Sequence, residues 1–222
     1  IPTTVDFEKT AIFELLQRLT NFHEESFQYL CSFVSRKLNF PFRKMPISLC
    51  WIKTKQGCGK GSLARFLGAL FSCNANVLIS WNRMSQFTSQ FNSEIQHALW
   101  LVLEEVTCQN KNSLREFSGL LKDITSQTSC VLEKKGQDRT VCQNFANVVI
   151  FSNELRVLNV SRDCRRVCVF EVNNEKTNNK EFFDKVHTEI SDLETMKAAF
   201  NWFRDRDTTG FDYRKYPKTK LL

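Results

Sequence analysis

No proline occurs between Pro46 and Pro217, and within this long stretch short apolar runs alternate with segments of helical periodicity. A short apolar run is typical of a buried strand, and apolar residues that recur every three or four positions are typical of a helix. Strands that alternate with helices are joined by crossover connections and form a parallel sheet covered by helices. The sequence therefore predicts an α/β fold with a parallel central sheet.

The predicted strands are Ile47 to Ile52, Val77 to Ile79, Leu99 to Leu103, Asn147 to Phe151 and Arg166 to Val172. Two amphipathic helices are expected before them, over Ile12 to Leu19 and over Phe27 to Leu38, and Pro41 should end the second. Helical periodicity returns after Asn173, where Ser191 and Glu194 have the spacing of a capping box. We therefore divide the chain into an N-terminal helical segment (1–46), an α/β core (47–175) and a C-terminal helical segment with a basic tail (176–222).

Composition limits the class of protein. A hydrophobic fraction of 42% excludes a disordered tail, and no uninterrupted apolar stretch is long enough to span a membrane. The nine cysteines include no CxxC pair and none lies at metal-ligand spacing from a histidine, which favours a reducing intracellular compartment, with host cytoplasm and nucleus both open. The net charge of +7 permits a polyanionic partner. Because the chain begins at Ile1 rather than Met, we expect an excerpt of a longer polypeptide.

The strongest local motif lies between the first predicted strand and the next helix. It runs from Thr54 to Ser62 and approximates the phosphate-binding template GxxxxGK[ST]. Backbone N–H groups of such a loop wrap phosphates, and its lysine adds a positive charge. Thr54 replaces the first glycine, and Gly61 replaces the hydroxyl residue that binds Mg²⁺, with Ser62 one position later. The alternative is a glycine-rich turn without a ligand. The candidate nucleotide-binding residues are Gln56, Gly57, Cys58, Gly59, Lys60, Gly61 and Ser62.

An acidic pair, Glu104-Glu105, directly follows the apolar strand Leu99 to Leu103. In a phosphate-loop enzyme, one such carboxylate serves Mg²⁺ and the other polarises the attacking water. Glu104 and Ser62 are the candidate metal ligands. The alternative is a solvated strand end.

Two further polar motifs follow in the order expected of an ATPase. Asn153 follows the strand Asn147 to Phe151 by two residues and is placed to contact the attacking water or the γ-phosphate if that strand lies beside the phosphate loop. Arg165 and Arg166 are candidates for an arginine that reaches the γ-phosphate of a neighbouring subunit. The alternatives are an ordinary turn at Asn153 and surface ion pairs at the arginines.

Between the acidic pair and Asn153, two β-prone runs flank Lys134-Lys135-Gly136. This pattern predicts a hairpin with cations at its tip, suited to contact with a nucleic-acid backbone. A solvated charged turn is the alternative.

Taken in order, these motifs resemble the superfamily 3 helicase domain, an AAA+ ATPase, and most closely the poxvirus-type primase-helicases of large DNA viruses, phages and plasmids. The resemblance covers nearly the whole chain. It includes Gln56 to Gly61, Phe91 to Glu94, Leu121 to Thr125 with Glu133 to Gly136, Ser152-Asn153, Arg165-Arg166, and Phe211 to Arg214 with Pro217 to Thr219.

The resemblance implies an AAA+ phosphate-loop core that uses ATP and Mg²⁺. In that family the roles fall on matching residues: Lys60 holds phosphates, Glu104 and Glu105 serve the metal and the water, Asn153 senses the nucleotide, and Arg165 or Arg166 is the finger. Lys134 and Lys135 line a central pore for single-stranded DNA, with Lys122 in the same motif. Members form ring-shaped hexamers, often behind an N-terminal primase.

We therefore expect an ATP-dependent replicative DNA helicase segment, with single-stranded DNA and further copies of itself as partners and no membrane association. The main alternative is an AAA+ scaffold or loader that binds nucleotide but does not unwind DNA. A small-molecule kinase is a poorer match, because it leaves the Lys-Lys hairpin and the Arg-Arg pair without a role and no lid motif is apparent.

Overall fold

The computed structural model describes residues 1–52, 54–71, 77–82, 93–105, 111–132, 140–153 and 165–219. Within these ranges the helices are α1 Ala11–Arg18, α2 Glu24–Asn39, α3 Lys60–Leu70, α4 Lys111–Ser126, α5 Lys180–Ser191 and α6 Leu193–Asp205. The strands are β1 Ser48–Trp51, β2 Leu78–Trp81, β3 Trp100–Glu104, β4 Ser129–Leu132, β5 Thr140–Gln143, β6 Asn147–Phe151 and β7 Val167–Phe170. Short 3₁₀ turns cover Phe7–Lys9 and Ser93–His97.

Five strands form a parallel sheet in the order β2-β3-β6-β1-β7. The prediction of a parallel central sheet is confirmed. Each of its strands overlaps one of the predicted apolar runs; the ends coincide for β6 and differ by one or two residues for the other strands. The candidate Asn153 strand, β6, is hydrogen-bonded directly to β1, which precedes the candidate phosphate loop. The carboxyl ends of β1, β6 and β3 therefore lie side by side at one edge of the sheet.

Both faces of the sheet are covered, as expected for parallel strands. Along β1, Leu49 and Trp51 point into a core formed with helices α1, α2, α3, α5 and α6, whereas Cys50 points into a second core formed with α4. The larger core contains side chains from all three predicted segments, such as Leu15, Trp51 and Phe203. The indole of Trp51 also donates a hydrogen bond to the Leu19 carbonyl at 2.7 Å, which joins β1 to the end of α1.

The two N-terminal helices occur where the periodicity predicts them, and α2 ends at Asn39, two residues before Pro41. Their starts have side-chain caps: Thr10 accepts from the Phe13 amide in α1, and His23 accepts from the Ser26 amide in α2. Such caps satisfy amides that have no partner within the helix.

The predicted capping box at Ser191 and Glu194 is wrong. Ser191 is the last residue of α5, and its hydroxyl donates back to the His187 carbonyl at 3.0 Å. Asp192 caps α6 instead, accepting hydrogen bonds from both the amide and the hydroxyl of Thr195. The signal was misplaced by one residue because an aspartate caps as well as a serine does.

Strands β4 and β5 form the predicted antiparallel hairpin, separate from the main sheet. Its tip, with Lys134 and Lys135, lies outside the described residues. Leu121 to Thr125, grouped with the hairpin by resemblance, is the last part of helix α4; Leu121 is buried there and Lys122 is exposed. Among the described residues, no helix is both long enough and apolar enough to cross a membrane.

A buried lysine joins α2 to the segment between β5 and β6. Lys37 is fully buried, and its ammonium donates to the carbonyls of Pro41 and Phe145 at 2.7 and 2.6 Å. Burial, together with the charge of Lys44, lowers the pKa of Lys37 to about 7. An ordinary lysine has a pKa of about 10.4 in the unfolded chain. Between these values the unfolded chain binds more protons than the folded one, so stability should rise with pH.

We predict that the free energy of unfolding increases from pH 7 to pH 9 and that Lys37→Met reduces this slope, by up to about 1.4 kcal/mol per pH unit. Below pH 7 Lys37 is charged in both states, and its contribution to the slope should vanish. The measurement is denaturant unfolding across this pH range. Lys9→Met, at an exposed lysine, is the control and should leave the slope unchanged. Equal slopes for the Lys37 variant and the unmodified chain would show that Lys37 keeps an ordinary pKa.

Candidate nucleotide-binding site

The candidate phosphate loop leads from β1 into helix α3. Gly57 and Gly59 both have positive φ, +79° and +102°, and Gly59 is the N-cap residue immediately before α3. L-amino acids with side chains rarely adopt this conformation, which accounts for two of the glycines in the motif. Gly59 has no side chain with which to cap the helix, so the amides of the first turn of α3 receive no hydrogen bond from it. A helix N-terminus of this kind favours an anion.

Lys60 joins the loop to the end of β6. Its ammonium donates hydrogen bonds to the Thr54 hydroxyl at 2.5 Å and to the Asn153 side-chain oxygen at 2.6 Å. The Thr54 hydroxyl in turn lies 3.3 Å from the Ser152 carbonyl oxygen. The structure therefore brings together two predicted site residues, Lys60 and Asn153, and adds Thr54 between them.

Thr54 has a structural role that the phosphate-loop template does not contain. It is buried, and its hydroxyl supplies an acceptor to Lys60 that a glycine at this position would lack. The departure from the template therefore provides the lysine with a neutral hydrogen-bond partner. The sequence pattern marked Thr54 only as a mismatch, because the contact with Lys60 depends on how the loop turns back.

The Lys60 ammonium is partly buried and positively charged, and both of these hydrogen-bond partners are neutral. Partial burial lowers the pKa of Lys60, while the charges of Cys58 and Glu105 oppose that shift. Glu105, directly after β3, has a positive φ of 51° and is exposed. Of the acidic pair, Glu105 is therefore the residue that acts electrostatically on Lys60.

The two candidate metal ligands have hydrogen bonds to other groups. One carboxylate oxygen of Glu104 accepts from the Ser80 hydroxyl of β2 at 2.7 Å. The Ser62 hydroxyl lies 2.9 Å from Nε2 of His187 in α5. Within the described ranges, no group of three or more His, Cys, Asp or Glu side chains could hold a metal by itself. The metal-binding roles of Glu104 and Ser62 stay predictions.

Helix α5 and the turn before it pack against the candidate phosphate loop, a contact that the sequence motifs did not indicate. The Asn178 amide donates to the Gly57 carbonyl at 3.1 Å, and a Cβ on Gly57 would lie 1.8 Å from the Asn178 side-chain oxygen. A Cβ on Gly59 would lie 2.6 Å from Cδ1 of Leu15 and 3.0 Å from the ring of Phe183. The asparagines of residues 173–179 are typical of a turn, but no spacing rule relates this segment to the loop.

The remaining candidates lie elsewhere. Arg165 and Arg166 are exposed immediately before β7, at the amino ends of the strands, whereas the loop lies at their carboxyl ends. Nε of Arg166 donates to the Ser126 hydroxyl at 2.7 Å. A four-residue strand such as β7 spans about 13 Å, so this pair is remote from Lys60 of the same chain. Lys122 lies on α4, on the face of the sheet opposite α3. Gln56 and Gly61 are exposed, and Cys58 is buried.

The profile of a family of unknown function, DUF5906, matches residues 52–166, from the end of β1 to the start of β7, which is more than half of the chain. The chain belongs to the DUF5906 family. The match includes the loop, the acidic pair and Asn153, but not the C-terminal helix that supports the loop.

A DNA primase-polymerase of Nitratiruptor phage NrS-1 is 30% identical to the DUF5906 chain over 127 residues, which are 57% of this chain and 17% of the phage protein. The apo structure of the NrS-1 C-terminal region has the same fold, with a TM-score of 0.81 at 20% identity, and the match covers 98% of this chain and 52% of that region. An A-form apo structure of the same region has a TM-score of 0.76 at 19% identity. The chain thus spans about half of the solved region and a smaller part of the curated relative.

Two glycines of the loop provide a test of its geometry. We predict that Gly57→Ala destabilises the protein by about 1–3 kcal/mol, because its Cβ would meet Asn178 and its φ is positive. Gly61 is helical, and a Cβ there meets nothing within 4 Å, so Gly61→Ala should be neutral or stabilising by up to about 1 kcal/mol. Chemical denaturation of both variants measures the difference. Equal stabilities would contradict the packing of Asn178 against the loop.

Proposed function

We propose that this DUF5906 chain is the ATP-dependent motor segment of a phage-type DNA replication protein, which couples Mg·ATP hydrolysis to translocation on single-stranded DNA. The observation that carries the proposal is the half-buried Lys60 ammonium, hydrogen-bonded to two neutral oxygens where α3 begins. A desolvated cation next to a helix N-terminus with no side-chain cap forms a site for a polyanion such as a triphosphate.

The loop residues fit the phosphates of a nucleotide. The first-turn amides of α3 are available to phosphate oxygens because Gly59 cannot cap them, and the Lys60 ammonium can exchange a neutral acceptor for an anionic one. Asn153 then remains at the end of β6, where its amide can orient a water or contact the terminal phosphate. Thr54 holds the base of this arrangement through Lys60 and the Ser152 carbonyl.

The residues also fit a magnesium ion that is bound mainly through phosphates and waters. Mg²⁺ usually retains several waters and takes only one or two protein carboxylates. Glu104 would supply a carboxylate from the end of β3, and Glu105 would polarise the attacking water. The bound ion would neutralise charge on the transferred phosphoryl group. If the Ser62 hydroxyl donates its proton to Nε2 of His187, its oxygen lone pairs would still be available to the ion.

The order of the strands supports an AAA+ type of ATPase. Strand β6 separates the loop strand β1 from the acidic strand β3, so Asn153 stands between the loop and the carboxylates. Because Arg165 and Arg166 lie at the amino ends of the strands, away from the loop at the carboxyl ends, they could reach a γ-phosphate only on a neighbouring copy. This requirement favours a ring-shaped assembly, for which we propose a hexamer.

The similarity to a DNA primase-polymerase of a phage supports a role in DNA replication. We further propose that Lys134 and Lys135, which lie between β4 and β5 in the sequence, contact single-stranded DNA and that a primase domain belongs to the same polypeptide. A nucleotide-dependent scaffold or loader is the second candidate, since the same loop and acids could drive assembly without unwinding.

Removal of the Lys60 ammonium tests the nucleotide site. We expect Lys60→Ala to abolish ATP hydrolysis, including any stimulation by single-stranded DNA, while the thermal midpoint changes little because Lys60 is only half buried. Phosphate release measures turnover, and binding of a fluorescent ATP analogue measures affinity. Lys218→Ala, at an exposed lysine of the C-terminal segment, is the matched control. Unchanged turnover in the Lys60 variant would refute the proposal.

Charge reversal at the hairpin separates a motor from a scaffold. Lys134→Glu with Lys135→Glu should preserve basal ATP hydrolysis but remove its stimulation by single-stranded DNA. Lys215→Glu with Lys218→Glu changes the net charge equally at exposed sites and should keep the stimulation. If single-stranded DNA still stimulates ATP hydrolysis in the hairpin variant but not in the control, the DNA contact lies outside the hairpin. An ATPase that DNA never stimulates would favour the scaffold.

A further inference from the structure

Two cysteines face each other across the β4–β5 hairpin. Cys130 and Cys142 are directly opposite in the antiparallel register, and their sulfur atoms are 3.1 Å apart. Directly opposed residues of antiparallel strands have Cβ atoms about 4.5–5.5 Å apart, close to the separation that a disulfide requires. The sulfurs need to approach by only about 1 Å to reach the bond length of about 2.05 Å. We propose that this pair is a modification site that forms a reversible disulfide across the hairpin.

A disulfide would stabilise the β4–β5 hairpin, because few other contacts among the described residues hold its two strands together. The hairpin forms a two-stranded sheet of its own, and its opposite face carries Val131 and Val141, which are 49% and 76% exposed. An isolated two-stranded hairpin is only marginally stable in water. Asn144 holds the end of the hairpin that is nearest the rest of the chain. Its backbone N–H donates to the Thr128 carbonyl at 2.8 Å, and its side-chain Nδ2 donates to the carbonyls of Ile124 and Gln127. A disulfide would add a covalent link between the strands, where packing covers only one face.

The two thiols have different surroundings, and this difference determines which of them attacks the oxidant first. Burial and the contact with Cys142 together raise the pKa of the Cys130 thiol to about 12, against the opposing charge of Lys44. Because the thiolate is the nucleophile in disulfide exchange, Cys130 is a poor first attacker at neutral pH. Cys130 also packs against the second core, on the α4 face of the sheet, which limits access to its sulfur. The first attack on the external oxidant therefore falls to Cys142, and Cys130 completes the bond within the protein.

The oxidant is a low-molecular-weight disulfide such as glutathione disulfide. The Cys142 thiolate attacks one sulfur of this disulfide, forms a mixed disulfide and releases one glutathione thiolate. Cys130 then gives up its proton and attacks the Cys142 sulfur, which releases the second glutathione thiolate. Two protein thiols are oxidised, one external disulfide is reduced, and the two protons pass to the departing glutathione or to solvent.

A second pair of neighbouring strands provides an internal comparison. Cys50 of β1 and Cys168 of β7 are both fully buried, and their strands are adjacent. However, Cys50 belongs to the core beneath α4, whereas Cys168 belongs to the core on the other face of the sheet. Their thiols point to opposite sides, so this pair should not form a disulfide.

The experiment treats the full chain at neutral pH with glutathione disulfide and analyses it by intact mass and by a non-reduced tryptic map. Trypsin cleaves after Lys134, Lys135 and Arg139, between the two cysteines, so their peptides remain joined only by a disulfide. We expect a loss of two hydrogens, one cross-linked peptide pair containing Cys130 and Cys142, and full reversal by dithiothreitol. Cys130→Ser should instead accumulate a glutathione adduct on Cys142.

This proposal does not depend on ATP hydrolysis, so an inactive ATPase leaves it intact. It is overturned if the unmodified chain keeps a stable glutathione adduct at Cys142, or if both thiols remain reduced. It is equally overturned if the cross-link involves any other cysteine. Cys50→Ser with Cys168→Ser must leave the cross-link unchanged, and its loss in that variant would place the oxidised pair in the core instead.

Discussion

The parallel pairing of β1 with β6 and β7 is the constraint on which the rest of the molecule depends. The four residues of β1 are fully buried, and both of its edges are hydrogen-bonded to neighbouring strands. Parallel neighbours cannot be joined by a tight turn, so each must be reached by a crossover that covers one face of the sheet. The same constraint places the carboxyl ends of β1, β6 and β3 at one edge, where the candidate loop, Asn153 and the acidic pair meet.

At that edge, the Lys60 ammonium links two strand ends that are far apart in sequence. It is held by Thr54 and Asn153, and its charge is balanced in part by the field of Glu105. In the proposed function, a lysine held in this way would exchange a neutral acceptor for a phosphate oxygen without first being extracted from an ion pair with a carboxylate. The support behind it comes from the C-terminal segment, through Asn178 at Gly57 and His187 at Ser62. The N-terminal segment adds to this support, since Leu15 packs where a Cβ of Gly59 would lie.

The predictions that were confirmed concern features that depend on local sequence, namely apolar runs and turn residues. Apolar runs such as Asn147 to Phe151 became buried strands because a parallel sheet covered on both faces tolerates few polar side chains. A helix after the loop was also expected and is present, and Gly59 permits the positive φ that the turn before it requires. The capping box failed where Ser191 and Asp192 were both competent caps, and only packing decides which of two such residues ends one helix and begins the next.

The sequence by itself determined the α/β class, the parallel sheet and the order of the loop, acidic pair and Asn153 along the chain, because these depend on periodicity and on residue type. Only the tertiary structure decided which groups meet. Thr54 changed from a mismatch in a motif to a partner of Lys60, and Ser62 turned towards His187. It also placed Cys130 against Cys142, while Cys50 and Cys168 were separated by the sheet. Contacts between distant residues follow from the strand order and from the face on which each side chain emerges, and neither is encoded in local spacing.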